Sequence, residues 1–466
     1  MILENVLITD AGSEGMAIGK INEQVIFIPF GIPGDIVNVQ IIKKKRRYLE
    51  GKILSIIQPS PKRVTPHCSH FGICGGCRWQ NMTYKDQLFF KEKQVLDNLT
   101  RIGKIPEPAI LPIIPSSETM YYRNKLDFTF SIYRWRTEEE LKNENTKSPL
   151  AAGFHVPQFF DKVVDIEHCY HQADPSNAIR NAVRKFAVEH QIPFYDVRRW
   201  EGQLRNLIIR NTLAGDLMVI VVFRSDDPSN EMMMKFLKET FPEITSLYSV
   251  INPKKNDTIY DLDFQLFNGK PFITEIIPPY QPDGKPTHFR IGPVSFFQTN
   301  SRQAETLNRV TAGFAGLKEG MHVYDLYTGT GAIACYIAPY VGKVTGIESV
   351  EAAVQDARVN ASANGIDNTV FYAGETEKLL TPGFIAAEGA PDVVITDPPR
   401  NGMHEKVVRT LIEVRPPRIV YVSCNPATQA RDLLMLSGEY SMVKCQPIDM
   451  FPHTQHVENI ALLEAR

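Results

Sequence analysis

The chain has 466 residues, of which 43% are apolar and 22% charged, and its net charge is −2. These values are ordinary for a soluble globular protein, and the length predicts about three domains. Seven cysteines, an odd number, and an N-terminus without a basic-then-apolar leader argue against a secreted disulfide framework. No apolar run approaches the roughly 20 residues that cross a bilayer, so we expect a cytoplasmic protein without a membrane partner.

Residues 1–58 are predicted to form a small β domain. Apolar and polar residues alternate over Asp35–Ile41, which is typical of a half-buried strand. With the basic run Lys43–Arg47, the short strands and glycine turns favour a closed barrel of the oligonucleotide-binding type over other small β domains. The predicted strands are Val6–Thr9, Gly15–Ile21, Gln24–Ile28, Asp35–Lys43 and Gly51–Ile57.

Residues 59–290 are predicted to form a central α+β domain. Pro59–Pro61 interrupts the strand pattern and marks the boundary. A helix over Met82–Arg101, with Thr83 as its cap, could pack on a different domain from the one its position suggests. The other predicted elements are strands at Leu126–Tyr133, Leu207–Asn211 and Leu217–Phe223 and helices at Asn177–Glu189 and Glu231–Thr240.

Residues 291–466 are predicted to form a third domain in which compact apolar runs alternate with helical sequence. This order is typical of an α/β, Rossmann-like, doubly wound sheet of mostly parallel strands. Such sheets bind ligands at the carboxyl ends of their strands. The predicted strands are Val323–Leu326, Lys343–Glu348, Thr369–Ala373, Val393–Thr396 and Ile419–Ser423.

A glycine-rich turn follows the first of these strands and predicts a nucleotide cofactor. Gly329 and Gly331 allow the backbone to approach a ligand closely, and Glu348 stands where a carboxylate can accept both ribose hydroxyls. Ala334 occupies the third glycine position of a dinucleotide fingerprint. The pattern, with Asp325 before the turn, therefore favours S-adenosylmethionine, although a tight turn without a ligand is the alternative.

A thiol and a carboxylate near the C-terminus predict the chemistry. Cys424 ends an apolar strand in Ser-Cys-Asn-Pro, where a turn can expose the sulfur, and Glu458 ends His-Val-Glu. Methylation of uracil at carbon 5 needs such a pair, because a thiolate must add at carbon 6 and a base must later remove the carbon 5 proton. An inert buried cysteine and a surface carboxylate are the alternatives.

The loop Asp397–Arg400, with the sequence Asp-Pro-Pro-Arg, follows the strand Val393–Thr396. Similar loops with an aromatic residue in the last position receive the base amino group in adenine- and cytosine-N-methylating enzymes. Because Arg400 replaces that aromatic residue, we expect a different base chemistry here.

Taken together, these motifs resemble those of the RNA uracil-5-methyltransferase family over essentially the whole chain. The resemblance implies Cys424 as the nucleophile and Glu458 as the proton-abstracting base. It further implies that the cofactor and active site are lined by Gln298, Tyr327, Glu348, Glu375 and Asp397. The motifs that carry the resemblance are Phe297–Asn300, Asp325–Gly331, Asp397–Arg400, Ser423–Arg431 and Asp449–Glu458.

Two residues depart from the family pattern. Thr328 stands where many members have Cys, and Glu375 stands where several have Asp or Asn. These departures concern fine contacts to the cofactor rather than the reaction.

Four cysteines predict a metal site. Cys68, Cys74 and Cys77 have the spacing Cys-x5-Cys-x2-Cys, and Cys169 follows in the central domain. Four thiolates can hold either zinc or a [4Fe–4S] cluster, and the spacing alone does not decide between them. The family resemblance implies the cluster, because ribosomal RNA members carry such a cluster together with an N-terminal barrel called TRAM, whereas tRNA members are expected to lack both.

The resemblance therefore predicts an enzyme that methylates a uridine of 23S ribosomal RNA, and we expect it to act as a monomer. Attack on carbon 6 requires a base unstacked from its helix, so we expect base flipping or a reshaped RNA loop. The alternatives are a uridine of the tRNA T-loop and an RNA-binding iron–sulfur protein whose catalytic domain has decayed. An electron-transfer protein is a third class.

Overall fold

The computed structural model describes residues 1–142 and 149–466, and residues 2–58 form the predicted barrel. Its strands are β1 (Ile2–Ala11), β2 (Met16–Ile21), β3 (Gln24–Pro29), β4 (Ile36–Lys44) and β5 (Tyr48–Gln58), with a 3-10 turn at Ser13–Gly15. They close in the order β1-β2-β3-β5-β4. The alternating apolar residues fill the barrel, and the basic run Lys43–Arg47 lies exposed at the β4–β5 hairpin.

Helix α1 (Tyr84–Arg101) connects the barrel to the rest of the protein. The hydroxyl of Thr83 accepts a hydrogen bond from the Asp86 backbone N–H at 3.3 Å, as expected for the predicted cap. Val95 and Leu99 of α1 are fully buried in the core of the C-terminal domain. The helix therefore packs on a domain that is distant from it in sequence.

The central domain is an α+β unit, as predicted. Its strands are β6 (Lys125–Ser131), β7 (Ala151–His155), β8 (Val163–Asp165), β9 (Leu204–Asn211), β10 (Leu217–Phe223), β11 (Ser246–Ile251) and β12 (Phe264–Gly269). Its helices are α2 (Glu138–Lys142), α3 (Ser176–Glu189) and α4 (Pro228–Thr240). Among the described residues the strands form one sheet in the order β12-β11-β10-β9-β6-β7-β8, and apolar side chains of α3 and α4 share its core.

The C-terminal domain has the predicted Rossmann-like order. Its strands are β13 (Ile273–Ile277), β14 (Thr287–Ile291), β15 (His322–Leu326), β16 (Lys343–Glu348), β17 (Thr369–Ala373), β18 (Val393–Thr396), β19 (Arg418–Ser423), β20 (Tyr440–Ile448) and β21 (Glu458–Ala465). Its helices are α5 (Ser301–Ala315), α6 (Ala332–Ile337), α7 (Glu351–Ala363), α8 (Thr376–Leu379), α9 (Pro382–Glu388), α10 (Glu405–Val414) and α11 (Pro426–Leu436), with a 3-10 turn at Ala338–Tyr340.

One sheet of this domain carries the order β17-β16-β15-β18-β19-β21-β20. Strands β15 to β19 run parallel to one another, and β21 pairs antiparallel with both β19 and β20. The five parallel strands match the five predicted apolar runs. The two antiparallel strands close one edge of the sheet.

Packing does not follow the sequence boundary placed at residue 290. Ile110 and Ile114 form bridges to Cys445 and Ile448, so the segment after α1 extends the edge of the C-terminal sheet. The β13–β14 hairpin also shares its buried side chains with the core of that sheet. Segments on both sides of the central sheet thus join the C-terminal core, because an apolar surface is buried by whichever neighbour covers it.

No helix within residues 1–142 and 149–466 has the length and apolarity to cross a membrane.

A buried ion pair joins α1 to the C-terminal domain. The Lys91 Nζ lies 2.5 Å from the Asp449 Oδ1, and both side chains are 0% exposed. Lys91 also donates a hydrogen bond to the Phe451 carbonyl at 3.0 Å, and the Tyr84 hydroxyl donates to Asp449 Oδ2 at 2.9 Å. The connection between β20 and β21 is therefore anchored by a helix of another part of the chain.

Replacement of Lys91 by Met should destabilise the protein by about 3–5 kcal/mol, because it leaves the Asp449 carboxylate buried without its cation. Chemical denaturation followed by circular dichroism measures the loss. Lys93→Met on the same helix is the matched control. Lys93 is 30% exposed and pairs with Asp10 and Asp97, so its replacement should lower the free energy of unfolding by less than about 1 kcal/mol. Equal losses in the two variants would contradict the role given to the buried pair.

Candidate active site

The parallel strands bring the predicted site residues to one edge of the sheet. Asp325 lies near the end of β15, Glu348 ends β16, and Glu375 follows β17. Asp397 follows β18, and Cys424 follows β19. Because parallel strands present their carboxyl ends at the same edge, these five residues lie along one edge of the sheet, where a ligand crevice is expected.

Asp325 is a buried carboxylate in which only one of the two oxygens accepts hydrogen bonds from the described residues. It is 1% exposed, and its Oδ2 accepts hydrogen bonds from the Thr328 hydroxyl at 2.5 Å and the Ala334 backbone N–H at 3.1 Å. Its Oδ1 has no hydrogen-bond partner among the described residues. Burial raises the pKa of Asp325 to about 7. A cationic or N–H donor of a ligand would satisfy the free oxygen and stabilise the charge.

The glycine-rich turn has the backbone shape that the sequence predicts. Gly329 has a φ of 57° and Gly331 a φ of 76°, both in the left-handed region that favours glycine. A Cβ at Gly329 would meet nothing within 4 Å, so the turn is open on that side. Glu348 reaches this turn, because its Oε2 accepts a hydrogen bond from the Gly329 N–H at 3.1 Å.

The remaining predicted cofactor residues lie near the same edge of the sheet. Tyr327 is half-buried at the start of the turn with a φ of 63°, and burial raises its pKa to about 12. The Gln298 carbonyl accepts a hydrogen bond from the Asn124 side chain at 2.8 Å, which ties the segment before α5 to the central domain. Glu375 is exposed at the start of α8 and forms an ion pair with Lys378.

Cys424 lies between β19 and α11 and is half-buried, so its sulfur is neither sealed in the core nor fully exposed. Asn425 caps α11, since its side chain accepts a hydrogen bond from the Ala427 N–H at 3.1 Å. The Cys424 thiol thus precedes a helix N-terminus, a position that favours a thiolate. Burial, and next the carboxyl groups of Glu458 and Asp397, nevertheless raise the pKa of Cys424 to about 11.

Strand pairing brings Glu458 next to Cys424. In the β19–β21 pair, Ser423 lies opposite Asn459, so the following residue of one strand and the preceding residue of the other are Cys424 and Glu458. Glu458 is 5% exposed. Burial and then the neighbouring Asp397 raise the pKa of Glu458 to about 8.

Asp397 and Arg400 complete the group. Burial, followed by repulsion from Asp325, raises the pKa of Asp397 to about 7. The positive charge of Arg400 opposes the upward pKa shifts of both Cys424 and Glu458. The Arg400 carbonyl accepts hydrogen bonds from the Asn425 side chain at 3.0 Å and the Thr428 hydroxyl at 3.1 Å, which fixes the two loops against each other.

The connection from Asp449 to Val457 leads into Glu458 and is held from several sides. The Asn300 side chain donates to the Met450 carbonyl at 3.0 Å, and the Tyr122 hydroxyl donates to the Pro452 carbonyl at 2.9 Å. This segment therefore has its shape fixed before it enters β21.

His453 is held within the same connection. Its N–H donates to Gln87 Oε1 at 2.8 Å, and its carbonyl accepts from the backbone N–H of Trp79 at 3.0 Å. Both partners come from the region around α1. The position of the candidate base thus depends on residues far away in sequence.

Phe296 is a candidate functional residue that the sequence motifs did not single out. Its side chain is 65% exposed, although it is large and apolar. Its carbonyl accepts a hydrogen bond from the Thr330 hydroxyl at 3.2 Å, so it lies beside the glycine-rich turn. An exposed aromatic ring at the rim of the crevice can stack on a nucleobase. The apolar pair Phe296–Phe297 before Gln298 was its only signal in the sequence.

The four cysteines of the predicted metal site lie together in the central part of the molecule. Cys68, Cys74, Cys77 and Cys169 all line one cavity of about 320 Å³. Within the described part of the chain, no three His, Cys, Asp or Glu side chains converge closely enough to hold a single metal ion. The thiols therefore surround a space rather than meet at a point.

Hydrogen bonds to sulfur are present in this cavity. The Gly76 N–H donates to the Cys74 Sγ at 3.4 Å, and the Gln80 side-chain amide donates to the Cys77 Sγ at 3.3 Å. The Cys77 Sγ also lies 3.0 Å from the His171 Nε2. Such donors stabilise negative charge on cysteine sulfur.

Two family models match the chain. The model described as TRAM domain matches residues 4–54, which are the barrel. The model described as tRNA (Uracil-5-)-methyltransferase matches residues 385–466, which contain Asp397, Arg400, Cys424 and Glu458.

Full-length relatives agree with these matches. A protein of Bacteroides thetaiotaomicron, described as an uncharacterized RNA methyltransferase, is 50% identical over 97% of this chain and 100% of its own length. One of Porphyromonas gingivalis with the same description is 50% identical over 98% of each chain.

A solved structure is also similar over the whole length. The tRNA (uracil-54, C5)-methyltransferase of Pyrococcus abyssi, solved in complex with S-adenosyl-L-homocysteine, is 30% identical, with a TM-score of 0.75 over 99% of this chain and 100% of that one. The fold and site define a methyltransferase that uses S-adenosylmethionine and acts on RNA. The chain belongs to the RNA uracil-5-methyltransferase family.

The match to a tRNA enzyme corrects one expectation. A barrel was expected in ribosomal RNA members and not in tRNA members. Because the tRNA enzyme aligns with 99% of this chain, the aligned part includes the barrel. The barrel alone therefore does not distinguish the two substrates.

Proposed function

We propose that the protein transfers a methyl group from S-adenosylmethionine to carbon 5 of a uridine through a covalent adduct on Cys424. The observation that carries the proposal is the adjacency of Cys424 and Glu458 at the end of the β19–β21 pair. One residue supplies a nucleophile and the other a proton acceptor, at the edge where the glycine-rich turn lies.

The reaction begins with addition of the Cys424 thiolate and ends with its release. The Cys424 thiolate adds to carbon 6 of the uracil, and the electron pair moves to carbon 5 and the carbon 4 oxygen. Carbon 5 then takes the methyl group from the sulfonium, which leaves as S-adenosylhomocysteine. Glu458 removes the carbon 5 proton, and the returning electron pair expels the thiolate from carbon 6.

The raised pKa values of Cys424 and Glu458 give Arg400 a role in these reaction steps. In the protein alone, burial holds Cys424 and Glu458 in their neutral forms at neutral pH. Arg400 is exposed and favours the charged form of both groups. The positive sulfonium of the methyl donor adds to this field, so the residues ionise when the donor is bound.

We further propose a uridine of 23S ribosomal RNA as the target, with the protein acting as a monomer in the cytoplasm. The support is the four-cysteine arrangement, which the family resemblance associates with ribosomal RNA enzymes. A uridine of the tRNA T-loop is the second candidate, and the full-length similarity to a tRNA (uracil-54, C5)-methyltransferase favours it.

The proposal predicts tritium release from RNA that carries 5-tritiated uridine, with 23S ribosomal RNA as a substrate and tRNA transcripts as the comparison. Cys424→Ala should abolish release while changing the binding of S-adenosylmethionine by less than about threefold, because the thiol acts after binding. Cys445→Ala, a buried cysteine outside the site, is the control and should keep activity. Release by the Cys424→Ala variant would refute the covalent route, and release from tRNA alone would reassign the substrate.

We propose that Cys68, Cys74, Cys77 and Cys169 hold a [4Fe–4S] cluster. The supporting observations are a shared cavity of about 320 Å³ and N–H donors aimed at two of the sulfurs. A cluster bound by four thiolates would keep these segments together, and methyl transfer needs no electron from it. Its proposed role is structural.

Anaerobically purified protein should be brown and contain about four irons per chain. Cys169→Ala should lower the iron content and the visible absorption in parallel, whereas Cys445→Ala should leave both unchanged. Iron and absorption are measured on the protein without substrate, so the result does not depend on activity. Colourless protein with one zinc per chain would contradict the cluster.

A further inference from the structure

The central domain carries exposed aromatic rings interleaved with cations. Phe160 is 70% exposed, Phe159 46% and Trp200 43%. Arg198, two residues before Trp200, donates a hydrogen bond to Asp161, which follows Phe160, so the three rings belong to one region of the surface. We name this surface the aromatic patch; its members are Tyr133, Phe159, Phe160, Lys162, Arg198, Trp200 and Lys255.

Contacts hold the middle of the patch in a defined arrangement. The Arg198 guanidinium lies 4.7 Å from the centroid of the Tyr133 ring, and its Nε donates to Asp161 Oδ2 at 2.9 Å. The Tyr133 hydroxyl in turn donates to Asp196 Oδ2 at 3.2 Å. Lys162 lies 5.3 Å from the same ring. Cations and ring are therefore fixed relative to each other before any ligand arrives.

Trp200 is the last residue of a tight turn that the Asp196–Glu201 bridge closes. Its φ is 60°, in the left-handed region that bulky residues rarely adopt, and its N–H donates to the Asp196 carbonyl at 2.7 Å. The side chain nevertheless remains 43% exposed, with the Lys255 Nζ 3.6 Å from the ring centroid. The turn thus places an indole at the surface rather than in the core.

The patch adjoins the cysteine loop. A Cβ on Gly75 would lie 3.2 Å from the His155 carbonyl and 3.4 Å from Pro157 Cγ, so the loop between Cys74 and Cys77 packs directly on the segment before Phe159. The aromatic patch therefore continues the surface that surrounds the four cysteines. A polymer that binds across the aromatic patch can therefore also reach the loop that carries Cys74 and Cys77.

We infer that the aromatic patch binds a single-stranded segment of the RNA substrate outside the target uridine. Every base presents a flat π face to an exposed ring, and the neighbouring cations meet the phosphates that flank it. Lys162 and Lys255 supply positive charge among the rings, whereas Arg198 is paired with Asp161, and this arrangement suits a polyanion with stacked bases. This inference rests on the proposed function, and it extends the surface that contacts RNA beyond the candidate active site.

Tryptophan fluorescence tests the inference on the full-length protein. The chain has three tryptophans: Trp79 is 3% exposed, Trp135 is half-buried with its ring centroid 5.4 Å from that of Phe159, and Trp200 is 43% exposed. Titration with an oligouridine of about 12 nucleotides should quench the fluorescence, and the double substitution of Trp135→Phe and Trp200→Phe should remove most of that quenching. Quenching that persists in the double variant would place the RNA elsewhere.

Anisotropy with the same labelled oligouridine measures affinity. Phe160→Ala should raise its Kd about fivefold or more, because a stacked base is lost. The matched control is Phe89→Ala on α1, which removes a 56% exposed phenylalanine outside the patch and should change the Kd less than twofold. An unchanged Kd in Phe160→Ala would overturn the inference and leave a protein partner as the explanation of the patch.

Methyl transfer separates this inference from the proposed function. If the wild-type protein methylates RNA and the patch variants bind oligouridine normally, the RNA-binding role of the aromatic patch is refuted and the proposed function stands. If the wild-type protein methylates no RNA and oligouridine binding still depends on Phe160 and Trp200, the proposed function is refuted and the RNA-binding role of the patch stands.

Discussion

The antiparallel pairing of β19 with β21 is the constraint on which the site depends. Residues more than thirty positions apart become neighbours because Ser423 lies opposite Asn459, which brings Cys424 beside Glu458. A shift of one residue in this register would turn the side chains of β21 to the other face of the sheet. The segment from Asp449 to Val457 fixes where β21 begins, and Lys91 of α1 anchors that segment through a fully buried ion pair.

Electrostatics at the strand ends follow from burial. Asp325, Asp397 and Glu458 all have raised pKa values, and each lies near another carboxyl group. Ionisation of several neighbouring carboxyl groups is unfavourable in the protein alone and becomes favourable beside a positively charged ligand. S-adenosylmethionine carries an ammonium group and a sulfonium, so this arrangement suits it. Arg400 supplies a permanent positive charge from the protein itself.

Much of this organisation could be predicted from the sequence. The barrel, the parallel strands and the crevice at their carboxyl ends follow from periodicity and turn residues, which are local signals. The sequence also predicted that α1 could pack on a domain other than its neighbour in the chain, and α1 packs on the C-terminal core. The extension of the C-terminal sheet by the Ile110–Ile114 segment could not be predicted, because the partner of an apolar segment is decided by tertiary structure and leaves no local signal.

The site shows the same division. Cys424, Glu458 and the glycine-rich turn stand in recognisable motifs, whereas the exposure of Phe296 and of Trp200 appears only in three dimensions. The position of Cys169 on the same cavity as three cysteines far upstream also needs the fold, since sequence spacing leaves their distance open. The raised pKa of Glu458 also depends on the fold, because it results from burial of the carboxyl group.

RNA substituted with 5-fluorouridine tests the central claim most directly. Because fluorine at carbon 5 cannot be removed as a proton, the reaction should stop after methyl transfer with the RNA still bonded to the enzyme. Incubation with S-adenosylmethionine, followed by protease digestion and mass spectrometry, should find a methylated fluorouridine on the peptide that contains Cys424. An adduct on another cysteine, or none at all under conditions in which ordinary uridine is methylated, would contradict the account.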